Sequence, residues 1–500
     1  MYFSEAFNVD REIINRYGTI DISLICDTPL FIDPMLIFNS KKPAYKKLHD
    51  SIIRYLHFLA KKSSTTTLSV GDIKNYYTFK EVKENWLGFS LSGNRGLALG
   101  KDFAKFFSEK IAFALDTHNI SSSPHVEKVM LLYDGTGKDK LSDFTTNLIK
   151  GYLAHYTESF AKKYIDKSRC DYFYVERSFF NYETESFVSE QFYLPFIINK
   201  KGKKEYVLLT PADILREDEA TINKTDLIEN NLMVRNSIDN DVLRSQVENY
   251  IGIAIRNFEK THTGKRQGIS EKQYARIEKY AFIKALEKWP ELYDYYVKLK
   301  ENDTENVIAT ARFERDRIKE QYITIVEKIV SDFKQNNYIV NEKETAIDEA
   351  RERIRFFKNR IEFGGVYNYL YFNNQPIESE SMLQHLFKLV WCRTTYNFDS
   401  EVNNGTGPVD FKVSLGNDNS SIVEFKLAKN TRLPRVFNQV ASYKQANNTN
   451  NSLIVIFFFN EIELKKVQSL IDEFKIKDLI DRDIFLIDCR KDNKMSASKL

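Results

Sequence analysis

Seven consecutive apolar residues, Leu453 to Phe459 (LIVIFFF), set the tightest limit on how this chain folds. The run falls far short of the roughly 20 residues that a membrane-spanning helix needs, so it reads as a fully buried strand. Its neighbours extend the pattern. From Glu378 onward the periodicity predicts a helix (ESESMLQHLFKLVW), three strands (TYNFDSEV, GPVDFKVSL and SSIVEFKLA), a helix from about Pro434 to Ala446, the buried strand, a Glu/Lys-rich helix and a last strand, DIFLIDC. The order is α-β-β-β-α-β with an appended α-β, an α/β fold.

At 500 residues the chain is long enough for about three domains. Segments 1–238 read as an N-terminal α/β or α+β domain, 239–375 as a mainly helical region rich in Glu, Lys, Arg, Ile and Tyr, and 376–500 as the domain above. Within the first, DFAKFFSEKIAFAL predicts a helix, Ile22 to Pro34 reads as strand-like, and two strands about a Lys/Gly turn precede a helix opening near Pro211. In the helical region Ile318, Tyr322, Ile325 and Ile329 make one apolar stripe. Such a stripe suits packing within the chain, with a protein partner or a homo-oligomer as the other use.

Several function classes drop out. Cys26, Cys170, Cys392 and Cys489 form no CxxC pair, and the 7 histidines show no HExxH, which leaves no zinc signature. Gly100-Lys101 fails as a phosphate loop because Arg95 and Asp102 stand where Gly and Ser or Thr are required. The glycine-rich Asp134 to Asn147 reads as a turn with Ser142 or Asp143 capping a helix, and Asp33 as either a turn residue or a site. Neither a membrane span nor a secretory signal is recognisable, so a cytoplasmic location is expected. A net charge of +3 diagnoses nothing by itself.

Strand alternation puts Asp410 opposite in facing to Phe411 and Val413, and sets Glu424 and Lys426 together on the face away from Val423, Phe425 and Leu427. A hairpin about Asn417 and Asp418, with paired numbers summing to about 835, places Asp410 beside Lys426 and diagonal to Glu424. Two carboxylates and an ammonium then converge. That grouping suits phosphodiester hydrolysis: Asp410 and Glu424, with the Phe425 carbonyl, offer hard oxygen ligands to Mg²⁺, for which Mn²⁺ can substitute. Lys426 would orient or help deprotonate the attacking water. Glu380, ahead of Leu383 and Leu386 on the preceding helix, would hold the metal from a third direction, in preference to Glu378. From Lys426 to Asn450 the chain has no acidic residue, and Lys429, Arg432, Arg435 and Lys444 are the candidate phosphate contacts. Alone, an E-x-K on a strand is ordinarily a solvated salt pair, so the weight rests on convergence.

GPVD followed after a hairpin by VEFK resembles the PD-(D/E)xK nuclease superfamily, over about the last quarter of the chain. The resemblance implies a restriction-endonuclease-like α-β-β-β-α-β core with Asp410, Glu424 and Lys426 as the site. Gln439 and Tyr443 resemble the Q-x-x-x-Y pair of its RecB-like and Cas4-like branches, which lines the active site; Val409 between Pro408 and Asp410 is the departure. FIDPMLIFNS, GTGKDKLSDFTTN and the two strand motifs resemble pieces of uncharacterised prokaryotic proteins that carry such a nuclease and resemble components of defence against foreign DNA. The expectation is a Mg²⁺-dependent DNA nuclease of antiphage defence, with RNA left open as substrate. The competing reading is a catalytically inactive DNA-binding or partner-docking subunit of a defence or repair complex.

Overall fold

The computed structural model describes residues 2–24, 27–65, 68–80, 82–88, 101–132, 138–199, 202–217, 220–262, 271–335, 342–372, 375–377, 380–391, 394–403, 408–416, 419–431, 433–437 and 452–494. They form a mixed α/β structure with several sheets, arranged as two compact units. The first takes in most described residues up to Arg315; the second takes in Asp316–Leu500 and the short segment Leu24–Pro29. These divisions cut across the boundaries at 238 and 375 read from the sequence.

In the first unit, helix α1 (Pro34–Phe38) is capped by Asp33, which accepts the Met35 amide at 3.0 Å and both the amide and hydroxyl of Thr221 at 3.0 and 2.6 Å. Asp33 is thus a cap and a tether. Among the described residues of the strand-like Ile22 to Pro34 only Phe31–Ile32 form a strand, and the expected helix at Pro211 is a single turn, Ala212–Ile214. Helices α2 (Pro43–Thr65), α3 (Lys101–Leu115), α4 (Glu127–Leu132) and α5 (Lys138–Tyr164) follow. Because α5 opens at Lys138, Ser142 lies inside it rather than at its cap, and its hydroxyl accepts the Ile32 amide.

Strands β1 (Cys170–Asn181), β2 (Ser186–Ile198) and β3 (Lys204–Tyr206) make an antiparallel sheet. Gly151 lets α5 approach that sheet, since a Cβ there would meet the Phe179 ring at 2.3 Å and the Ser178 carbonyl at 2.6 Å. Helices α6 (Asp241–His262), α7 (Glu271–Lys288) and α8 (Glu291–Asn302) belong to the same unit: Val247, Ile251, Phe282, Tyr295 and Tyr296 share one core with Met35, Leu36 and Leu131. Helix α9 (Thr304–Gln335) carries the stripe read at Ile318; the side chains of Tyr322, Ile325 and Ile329 lie outside the described residues.

The second unit holds helices α10 (Ala346–Glu362) and α11 (Ser381–Leu389), strands β4 (Asn397–Asn403), β5 (Pro408–Leu415) and β6 (Asn419–Leu427), a short helix of residues 433–437, strand β7 (Ser452–Phe458), helix α12 (Glu461–Glu473) and strand β8 (Ile484–Asp488). The sheet order is β8-β7-β6-β5-β4, parallel across the first three strands and antiparallel across the rest. Phe357 of α10 packs against Phe387, Phe425 and Phe457, and Phe387 of α11 against Phe411 and Phe425, covering one face. On the other face Ile454, Ile456 and Phe458 share a core with Leu433, Phe437, Val467 and Ile471. The LIVIFFF strand is therefore buried from both sides. Among the described residues no helix is long and apolar enough to cross a membrane.

Candidate functional site

The antiparallel register runs from Asn419↔Leu415 to Val423↔Phe411. Paired numbers sum to 834 rather than about 835, so the next step of that register sets Glu424, not Lys426, opposite Asp410. The pairing with β5 ends at Val423, whereas β6 continues beside β7 from Ile422↔Ser452 to Leu427↔Phe457. The two strands thus part there: Glu424 to Leu427 continue beside β7 without pairing to β5, which itself runs on to Pro408 beside β4. Amides two residues apart on a strand point the same way, and those of Phe425 and Leu427 are left without a ladder partner on the β5 side. Carboxylates take both. Asp410 Oδ2 accepts the Phe425 amide at 2.6 Å, and Glu380 Oε1 accepts the Leu427 amide at 2.9 Å.

Lys426 stands between these two acids. Its Nζ lies 3.5 Å from Asp410 Oδ2 and 3.7 Å from Glu380 Oε2, and it donates to the Phe425 carbonyl at 2.7 Å. Glu424, half-buried on the same face of β6, accepts no hydrogen bond from a described residue. Burial pushes its carboxyl above the ordinary value; Asp410 and Glu380 add to the rise, and Lys426 opposes it. Asp410, Glu424 and Lys426 of the two strands, with Glu380 from the cap of α11, therefore stand at one stretch of strand.

A hard divalent cation fits this donor set chemically, because Glu424 has no hydrogen-bond partner among the described residues and its negative neighbours raise the cost of its charge. In the conformation described, no three carboxylate, imidazole or thiol groups among the described residues are gathered closely enough to share one ion. Asp410 and Glu380 are spent on amides, and the Phe425 carbonyl on Lys426. Each carboxylate nonetheless keeps a second oxygen, and an amide hydrogen bond to one oxygen orients the other.

The remaining candidates fall unevenly. Glu380 occupies the cap position before α11 rather than its first turn. Lys429 is exposed and donates to the Ile377 carbonyl at 3.3 Å, and Arg435 is exposed on the helix of residues 433–437. Glu378, Arg432, Gln439, Tyr443 and Lys444 lie outside the described residues. Lys466 of α12 escaped the sequence reading: its Nζ donates to the carbonyls of Ala428 and Asn430 at 2.8 and 2.9 Å, in the turn that leaves β6.

A second concentration of charge sits in the first unit. Lys128 of α4 donates to Asp294 of α8 at 2.7 Å and to the Asp116 carbonyl, while His118 contacts the other Asp294 oxygen at 2.6 Å. His125 meets Glu301 at 3.0 Å, and Glu301 also accepts the amides of Ser122 and Ser123. Glu127 is fully buried with neither oxygen hydrogen-bonded among the described residues, and burial pushes its carboxyl up to about 7.

Residues 8–223 match a family model described as a domain of unknown function (DUF8370), and residues 346–461 match a second, also a domain of unknown function (DUF8371). The second match opens at α10 and closes at the first residue of α12, so it takes in Glu380, Asp410, Glu424 and Lys426. No curated protein and no solved structure matches the chain.

Proposed function

We propose that the second unit is a metal-dependent nuclease that hydrolyses phosphodiester bonds of DNA. The observation that carries this reading is the parting of β6 from β5, where Asp410 and Glu380 take the freed amides with Lys426 between them and Glu424 beside them without a hydrogen-bond partner among the described residues. The strand and helix order fits the PD-(D/E)xK resemblance seen in the sequence, with α10 an added cover.

Asp410, Glu424 and Glu380 would hold the cation. Bound Mg²⁺ or Mn²⁺ supplies charge neutralisation at the phosphate and a lowered pKa for a coordinated water. Lys426, half-buried and free to leave the Phe425 carbonyl, orients the attacking water and offsets negative charge growing on the phosphoryl oxygens. Lys429 and Arg435 neutralise the flanking backbone. A role in defence against foreign DNA follows only by analogy with the proteins the whole chain resembles.

Incubating the purified chain with plasmid, linear and single-stranded DNA and with RNA, each with Mg²⁺ or EDTA, tests the reading. Cleavage in Mg²⁺ and none in EDTA is expected. The engagement of both carboxylates with amides favours one alternative, an inactive DNA-binding or docking subunit. Binding that persists in EDTA without any cleavage would establish it.

A further inference from the structure

The segment leaving β6 carries Lys429 and Arg435 and is fastened to α12 in two ways. Ala428, Leu433, Val436 and Phe437 share a core with Val467 and Ile471, and the Phe437 ring stacks on Phe474 at 6.2 Å. Separately, the Lys466 ammonium bridges the carbonyls of Ala428 and Asn430, while the Asn430 amide returns to the Leu427 carbonyl at 2.9 Å. An ammonium shared by two carbonyls two residues apart fixes the turn between them, because each carbonyl is held in direction as well as place. On its other side, the same turn reaches Ile377 through Lys429 and Glu380 through the Leu427 amide.

We propose, resting on the nuclease reading, that Lys466 is a positioning residue: it sets the direction in which Lys429 and Arg435 present their charges to a nucleic-acid backbone passing the E-x-K site. Its own charge is spent on carbonyls, so it is not itself a phosphate contact. The apolar contacts to α12 anchor the segment without it, which separates its role from the stability of the fold.

The test compares Lys466→Met, which keeps the aliphatic stem, with Lys466→Arg, which keeps the donors. DNA affinity is measured in Ca²⁺ and turnover at saturating DNA in Mg²⁺, on protein whose thermal unfolding shows it folded. Lys466→Met should weaken DNA binding about tenfold, the scale of losing one charge-assisted hydrogen bond, and change turnover by less than about twofold. Lys466→Arg should restore the affinity. Unchanged affinity in Lys466→Met, a turnover loss at unchanged affinity, or failure of Lys466→Arg to restore binding each overturns the assignment. Wild-type chain that neither binds nor cuts DNA overturns the nuclease reading and this one together; wild-type chain that does both, with Lys466→Met equal in affinity, overturns this one alone.

Discussion

The two charge clusters differ in depth, and depth separates structure from chemistry. Lys128 and Asp294 are 2 % and 1 % exposed at the side chain, each fully committed to partners, whereas Lys426 and Asp410 are both 19 % exposed. A charge buried as deeply as Lys128 cannot exchange its partner without paying a large desolvation cost. The E-x-K cluster is partly exposed, so exchanging its contacts carries a smaller desolvation cost. Similar residue types therefore serve as a rivet in one unit and as exchangeable groups in the other.

The sharpest way to break this comparison is to substitute both clusters and read activity and stability on each. Asp410→Asn, which keeps an acceptor for the Phe425 amide, together with Glu424→Gln and Lys426→Met, should each lower cleavage by roughly four orders of magnitude, about 5 kcal/mol of barrier, with unfolding free energy changed by less than ~1 kcal/mol. Near-normal cleavage by any folded one removes that residue from the site. Lys128→Met should do the reverse, costing about 3–5 kcal/mol in chemical denaturation by taking the ammonium from buried Asp294, which keeps its His118 contact, with cleavage per folded molecule unchanged.

Glu127 sharpens the contrast through pH. Its folded carboxyl, at about 7, lies above the ordinary value of 4.5, so between those values the folded state binds more proton than the unfolded one. The stabilisation is complete below about 4.5 and is lost as pH rises through about 7, a change on the order of 3 kcal/mol. Urea titrations at several pH values should show that fall, and Glu127→Gln should flatten it. Equal slopes in the two proteins would mean the buried group finds a partner after all. The smallest effect belongs to the surface: Arg435→Ala should reduce the log-log salt slope of DNA binding by roughly one, and an unaltered slope would make Arg435 solvated surface.

Period-2 alternation made β5 and β6 legible, because buried Phe411, Val413, Val423 and Phe425 recur at every second position, and the unbroken apolar run did the same for β7. It also put Asp410, Glu424 and Lys426 together. The partner of Asp410 was read two residues out, since a Gly-Asn-Asp-Asn turn permits more than one pairing; Gly416 adopts φ of 73° there, a backbone choice that the alternation does not encode. Helix α10 was assigned to the helical middle because an amphipathic face says that it is buried, not against what. Lys466 gave no signal at all: on α12 it reads like any solvated lysine, and only the fold brings Ala428 beneath it.

The parting of β6 from β5 also governs how tightly the middle of the sheet is closed. Backbone amides that leave a ladder are costly unless another acceptor takes them. Asp410 and Glu380 supply acceptors for the Phe425 and Leu427 amides, so they seal the gap between two neighbouring strands as well as standing beside Lys426. Removing both carboxylates at once should therefore speed hydrogen exchange at the Phe425 and Leu427 amides, even where the core is intact.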